Sequence, residues 1–167
     1  MKNPVITIKV KDMGTIKAEL YPEKAPLTVA NFVSLAKKGF FDGLIFHRVI
    51  KGFMIQGGGF TPDFGHKETA SIKGEFASNG FKTNDIPHKR GTLSMARTSM
   101  PNSASSQFFI MHEDAPYLDR EYAAFGVVTE GLDVVDKIAS SKTGRYGYFS
   151  DVPITPVVIE SLTVTEE

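Results

Sequence analysis

"FHRVIKGFMIQGGGF", Phe46 to Phe60, sets an arginine and a glutamine inside a run that otherwise reads as buried strand, and closes on three consecutive glycines. If Leu44 to Ile50 is a strand, its side chains alternate: Ile45, His47 and Val49 share one face, Leu44, Phe46, Arg48 and Ile50 the other. Arg48 then has apolar neighbours whichever face meets the core. Lys51 and Gly52 mark a turn or bulge, after which Met54 and Gln56 of "FMIQ" share a face. Two readings fit these residues alone. Either Arg48 snorkels to solvent from a barrel rim while Gln56 satisfies backbone groups, or charged, amide and apolar side chains line one functional surface together.

The flanking sequence is mostly strand. "VITIKV" (Val5 to Val10) and "TIKAEL" (Thr15 to Leu20) alternate with period two around "KDMG", whose Gly14 suits a tight connection, so the chain starts with a hairpin. "APLTVANFVSLAKKGF" changes period: Val29, Phe32, Val33 and Ala36 mark one helical face. Pro26 suits the first turn, Lys37 and Lys38 the negative end of the dipole, and Gly39 a left-handed stop. Further strands are predicted at Leu44 to Ile50, Met54 to Gln56, Gly91 to Arg97, Gln107 to His112, Ala123 to Val128 and Pro156 to Val164. "GLDVVDKIAS" reads as a shorter helix, with Asp133 near its start and Val134, Val135 and Ile138 on one face. Between Gly57 and Arg90 lies a long segment rich in Gly, Asn, Thr and Lys with weak periodicity, of the kind that is functional or mobile. Many short strands with two helices and no helix-strand alternation predict an antiparallel barrel or sandwich, with the helices free to plug the barrel ends.

Composition narrows the function classes. The 167 residues are 41% hydrophobic and include 13 Phe, enough for one domain over 1–167 that buries roughly 70% of its unfolded surface. The residues up to Lys82 carry 12 basic and 7 acidic groups and the rest 7 and 12, for a formal net charge of 0. Strands from both halves must share one sheet, so this is a dipolar surface, with no global field to draw nucleic acid or an anionic membrane. The chain has no Cys, which excludes disulfides and thiol catalysis and fits a reducing compartment. The N-terminal alternation is not that of a signal peptide, and no stretch approaches the ~18 apolar residues of a membrane span. A soluble, cytoplasmic, monomeric protein is expected.

A second stretch repeats the design of the first. In "GTLSMARTSMPNSASSQFFIMH", Gly91 to His112, an apolar strand and a polar Ser/Asn/Ala loop lead to Gln107 and Phe109 on one face of the next strand. With it, the chain resembles the cyclophilins, peptidyl-prolyl cis-trans isomerases, and most of all their short bacterial cytoplasmic members. "FHRVIKGFMIQGGGF" and "GTLSMART", with "SQFFI" closing the second block, match the family's two signatures, and "FGVVTEGLDVVDKI" fits the family's segment downstream of them. The similarity runs from about Val5 to Val164, and matches of this length and order are specific.

The resemblance implies an eight-stranded antiparallel β-barrel capped by two α-helices, with the active site in a groove on its outer face. By motif match it implies Arg48 as the catalytic arginine and Gln56 beside it. It implies Phe53, Met54, Phe109 and Leu118 as the proline pocket, with Gln56, Ala96, Gln107 and the backbone around Arg97 holding the peptide and Tyr117 and Tyr122 at the rim. The expected partners are proline-containing peptides and unfolded or flexible proteins; no cofactor or metal is expected. The chain has Tyr117 where many members have Trp, so weaker binding of cyclosporin is expected. Tyr122 stands where many have His, and Arg97 where Asn is common. Ser99 and Met100 lengthen the loop after Arg97 by one residue, leaving the preferred residue before the proline open.

Other signals are weak. His47, His66, His88 and His112 show no metal-ligand spacing, and His47 reads as a barrel histidine with a hydrogen-bonded partner. "QGGGF" is neither a dinucleotide nor a phosphate loop; its glycines suit tight backbone geometry beside the groove. The serines near 94 to 106 read as loop formers, and "HKR" at His88 to Arg90 as a solvated loop. Two other classes compete with the isomerase: a module or holdase that binds Xaa-Pro segments without turning them over, and an assembly protein that uses the groove for docking. The presence of Arg48 favours the enzyme.

Overall fold

The computed structural model describes residues 3–166. The N-terminal alternation forms β1 (Val5–Val10) and β2 (Gly14–Leu20), paired in register from Val5 opposite Glu19 to Val10 opposite Gly14. Their buried faces carry Ile6, Ile8, Ile16, Ala18 and Leu20, all fully enclosed. The connection turns on positive φ at Asp12 and at Gly14, the conformation that glycine supplies without a Cβ clash. Next come α1 (Pro26–Lys37), β3 (Arg48–Ile50), β4 (Met54–Gly57), β5 (Thr92–Met95), β6 (Phe108–Met111), β7 (Ala124–Glu130), α2 (Leu132–Ala139), β8 (Thr143–Tyr146), β9 (Phe149–Pro153) and β10 (Ile159–Glu166).

Eight strands form one antiparallel sheet in the order β10-β1-β2-β7-β5-β6-β4-β3. The sheet curls until its two edges meet. Ile45 bridges Val158, Gly43 N–H donates to Ile159 O at 2.7 Å, and Phe46 N–H donates to Val157 O at 3.0 Å. This seam explains why the strand predicted from Leu44 to Ile50 is regular only from Arg48. Upstream of Arg48 the backbone serves two neighbours, since Ile45 N–H goes to Phe60 O while Phe46 N–H goes to Val157 O. Side chains 44 to 47 are consequently all buried instead of alternating. The glycine run lies against the same seam: a Cβ at Gly57 would stand 2.7 Å from Ile45 O, and one at Gly58, whose φ is +93°, 2.9 Å from Ser106 O.

The barrel interior and its helices share one apolar core. From α1, Phe32 packs on Phe41, Phe108 and Phe125 with ring centroids 4.9, 5.2 and 5.0 Å apart, so this helix closes one side of the barrel. It ends as its sequence predicts. Gly39 takes φ +72°, its N–H donates to Ala36 O, and Phe40 N–H donates to Leu35 O, the paired bonds of a glycine-terminated helix. Helix α2 buries Val134, Val135, Ile138 and Ala139. No helix among the described residues is long and apolar enough to cross a membrane.

Two features lie outside the sequence expectations. A separate two-stranded hairpin, β8–β9, comes after α2, its aromatic residues docked onto the long segment: Tyr146 stacks on Phe64 at 4.3 Å and Phe149 meets Phe60 at 5.2 Å. The long segment itself, irregular except for a single 3₁₀ turn at Ala77–Asn79, is anchored by Glu75. Helix α1 has Ala25 at its N-cap, which offers no side-chain acceptor, and an uncapped helix leaves its first N–H groups unpaired. The Glu75 carboxylate, 1% exposed, fills that place, accepting from Leu27 N–H (3.1 Å), Thr28 N–H (2.7 Å) and Thr28 Oγ–H (2.8 Å). Its charge also opposes the positive end of the helix dipole. Asn84 braces the same segment, donating to Glu75 O and Ala124 O at 2.8 Å each.

Glu75→Ala strands those donors in the interior, where hydrogen bonds to a charged group contribute roughly 1.5–3 kcal/mol. The expected loss is about 3 kcal/mol in urea unfolding, with Glu75→Gln losing less because one amide oxygen still accepts.

Candidate active site

The pairing of β3, β4 and β6 sends one set of side chains into the barrel and the other onto its outer surface. Arg48 lies opposite Gln56, Ile55 opposite Ile110, and Gln56 and Met54 opposite Phe109 and Met111. Ile55, Phe108 and Ile110 point into the barrel core, whereas Met54, Phe109 and Met111 form a second apolar cluster on the outside with Ala115. Ile50, Phe53, Ala96, Leu118 and Tyr122 pack onto that cluster half-buried. Burying one face of each strand in the barrel thus lays an apolar floor on the other.

Over this floor opens a cavity of about 120 Å³, lined by Arg48, Phe53, Met54, Gln56, Ala96, Arg97, Phe109, Leu118 and Tyr122. Drug-sized pockets run to roughly 300–1,000 Å³, so this one suits a single small ring. It brings together nine of the residues picked out from the sequence. Gln107 lines a neighbouring cavity of about 240 Å³, which shares Gln56, Ala96 and Arg97 with the first and adds His66, Thr98, Ser103 and Ser105. Tyr117 lines neither: it is 70% exposed and leans toward Phe53 at 6.1 Å.

Arg48 is exposed, so its charge carries no burial cost. Its Nη1 donates to Gln56 Oε1 at 3.4 Å, and Gln56 Nε2 donates to Gln107 Oε1 at 3.1 Å. One amide hydrogen of Gln56 is therefore engaged within the protein. The Arg97 guanidinium is held by backbone oxygens: Nη2 and Nε donate to Glu121 O at 2.7 and 3.2 Å and Nη1 to Thr98 O at 2.9 Å. The same group lies between the Phe76 and Tyr122 rings, 4.7 Å from each centroid, and cation–π contacts of this kind hold an aromatic ring in place. The loop that carries Ser99 and Met100 is pinned where Thr98 N–H and Oγ–H both donate to Ser103 Oγ, at 2.9 and 2.8 Å.

Histidines without any motif in the sequence support the walls. Gly52, with φ +82°, turns the chain into Phe53. Its N–H donates to His112 Nδ1 at 2.8 Å, and His112 Nε2 faces Asp136 Oδ1 at 3.1 Å. Arg90 grips both Asp136 oxygens, at 2.6 and 2.9 Å, and its hydrogen bond holds that carboxyl below the usual range. The position of the Phe53 turn is thereby tied to α2. His47 departs from its sequence reading: it is 4% exposed, and among the described residues nothing hydrogen-bonds its buried Nδ1. Its ring packs against Phe60 at 4.6 Å. Burial, with Arg48 and His66 adding repulsion, pushes the His47 imidazole down to about 4. Among the described residues, no three His, Asp or Glu side chains gather as a metal site.

The comparisons with known proteins agree with one another. The family profile described as "Cyclophilin type peptidyl-prolyl cis-trans isomerase/CLD" matches residues 5–164. The chain is 48% identical over 162 residues to "Peptidyl-prolyl cis-trans isomerase B" of Escherichia coli, covering 92% of this chain and 95% of that protein. It is 48% identical over 170 residues to a "Peptidyl-prolyl cis-trans isomerase" of Acinetobacter baylyi, covering 98% and 87%. A solved Cryptosporidium parvum cyclophilin type peptidyl-prolyl cis-trans isomerase, crystallised in the presence of the dipeptide Ala-Pro, matches with a TM-score of 0.80 at 28% identity, covering 98% of this chain and 99% of that one.

The pH dependence of stability follows from His47. Unfolded, it takes a proton below about 6.5, whereas folded it resists until about 4; the unfolded state therefore binds more protons in that window and stability falls as pH drops through it. At 1.36 kcal/mol per pH unit, urea unfolding at pH 4.5 is expected to show about 2–3 kcal/mol less stability than at pH 7 from this group alone. His47→Phe should remove that part of the slope.

Proposed function

The chain belongs to the cyclophilin-type peptidyl-prolyl cis-trans isomerases, and we propose that it turns Xaa-Pro bonds by non-covalent stabilisation of the twisted transition state, with Arg48 as the hydrogen-bond donor. The observation that supports this reading is the meeting of an exposed guanidinium with a small, apolar-floored cavity. The planar amide resists rotation with a barrier of ~18–20 kcal/mol, and unaided X-Pro isomerisation takes tens to hundreds of seconds. No covalent bond has to break.

At the twisted state amide resonance is lost, and the prolyl nitrogen becomes pyramidal and gains a lone pair that neither planar isomer offers. A donor aimed at that nitrogen binds the transition state in preference to both ground states. Phe53, Met54, Phe109, Leu118 and Tyr122 hold the proline ring and exclude water, which strengthens the bond from Arg48. A preorganised donor in such a site contributes about 3–4 kcal/mol, and a rate gain of about 10⁵ needs ~7 kcal/mol. Arg48 supplies about half of that, and gripping the ring while the preceding carbonyl swings supplies the rest. Gln56 orients the guanidinium through its amide oxygen, and Gln107 orients Gln56. The planar fork serves the prolyl nitrogen and Gln56 together, a geometry that the single ammonium of Lys lacks.

The clients are proline-containing segments of peptides and of unfolded or flexible chains. Tyr117, at the exposed rim, stands where the family often presents the indole that grips cyclosporin, and binding of that drug is expected to be weak.

Exchange NMR on a short Ala-Pro peptide tests the assignment. Wild type is expected to accelerate cis-trans exchange by orders of magnitude, and Arg48→Ala to remove about 10²–10³ of that gain while peptide affinity changes less than about threefold; Arg48→Lys should fall between. Wild type that binds the peptide without accelerating exchange would make the groove a recognition site only.

A further inference from the structure

Directly beneath the pocket lies a buried polar group that the mechanism does not use. His88 precedes β5, lines neither cavity and is 1% exposed. Its backbone N–H donates to Asp119 Oδ1 at 2.6 Å, and its backbone oxygen accepts from Ala115 N–H at 2.8 Å. The ring nitrogens are both occupied: Nδ1 lies 3.1 Å from Asp119 Oδ1 and Nε2 2.8 Å from Ser94 Oγ. An ionised carboxylate only accepts. Nδ1 therefore carries the proton, and Nε2 takes the hydroxyl hydrogen of Ser94. Burial pushes the imidazole down, with Asp119 opposing, which favours the neutral ring, and its two hydrogen-bond partners fix which nitrogen keeps the proton.

A ring fixed in this way is a template for the side chains that pack on it. Phe109 lies nearly parallel to His88, at 22° and 6.0 Å, and Tyr122 stands across it at 73° and 6.4 Å. Phe109 and Tyr122 meet edge to face at 5.7 Å, so these two rings form part of the pocket floor and one wall, and His88 backs both from beneath. Ser94, the cross-strand partner of Phe109, holds the imidazole from one side, while Asp119 holds it from the other, immediately after the 3₁₀ turn Pro116–Leu118 that bears Leu118. The Ser–His–Asp order is that of nucleophilic catalysis, but Ser94 is 0% exposed and no substrate atom reaches it.

We propose that His88 is a positioning residue for the isomerisation pocket: locked between Asp119 and Ser94, it sets Phe109, Tyr122 and the Leu118 turn in one mutual geometry. This rests on the reading of that cavity as the proline pocket. Misplacing a binding wall by about 1 Å can cost up to 10²-fold in rate.

The test compares Asp119→Leu, Asp119→Asn and Ser94→Ala, using exchange rates on an Ala-Pro peptide, the affinity of that peptide and the ¹⁵N shifts of the His88 ring. Asp119→Leu is expected to scramble the tautomer, weaken peptide binding at least fivefold and lower kcat/KM about tenfold. Asp119→Asn, which keeps an acceptor oxygen, should restore all three to within about twofold. Ser94→Ala, which frees Nε2 without touching the surface, should weaken binding and rate about threefold, and decides the matter should the leucine variant not fold. A scrambled His88 tautomer with unchanged peptide affinity would overturn the proposal, as would a Ser94→Ala protein indistinguishable from wild type. Wild type that binds but does not accelerate exchange would sink the isomerase assignment of Arg48 instead, and the affinity data would still decide the role of His88.

Discussion

Residue pairs between β4 and β6, Met54 with Met111, Ile55 with Ile110 and Gln56 with Phe109, couple the barrel interior to its outer surface. Successive side chains on a strand point to opposite faces, so the register that sends Ile55 and Ile110 into the core also sends Met54, Phe109 and Met111 outward. A slip of one residue would exchange the two sets. The pocket floor is therefore set by the same pairing that packs the barrel, with no dedicated scaffold. Arg48 joins the arrangement through its own pairing with Gln56 across β3 and β4.

Much of this is legible in the sequence because strong periodicity has a local cause. The β1–β2 hairpin and helix α1, with its glycine stop at Gly39, follow from spacing and end signals alone. The outward side of Met54 and Gln56 follows from alternation. Features with no local signal depend on distant partners. The β8–β9 hairpin has no buried face along most of its length, so "TGRYGYF" shows no apolar alternation, and its place is set by Phe60 and Phe64. The capping of α1 by Glu75 spans 47 residues, and nothing around Ala25 announces it. The strand from Leu44 loses its regularity at the barrel seam, which only closure creates.

The candidate site is more legible than its support. Nine of the residues named from the family resemblance share one cavity; Arg48, Met54, Gln56 and Phe109 meet there because β3, β4 and β6 pair with their faces alternating together. Tyr117 falls outside, since it sits on a 3₁₀ turn whose direction alternation does not govern. The histidines resist sequence reading for a physical reason: an imidazole in a strand or loop has no characteristic spacing unless it binds metal. Among the described residues nothing hydrogen-bonds Nδ1 of His47, whereas His112 and His88 each hold a pocket wall through both ring nitrogens. Their chemistry is told by partners 6 to 60 residues away.

The pairing of β1 with β10 also bears on the order in which the molecule assembles. From Val5 opposite Glu166 to Val10 opposite Ile159, β1 takes one of its two neighbours from more than 140 residues further along the chain. While the protein is being synthesised, the β1–β2 hairpin and α1 emerge early, but that edge of β1 keeps unpaired N–H and C=O groups until β10 leaves the ribosome. Open strand edges invite pairing with other chains, and contacts between distant residues slow folding because the loop must close first. Barrel closure is therefore a late step in assembly, since β1 cannot complete its pairing before β10 is present.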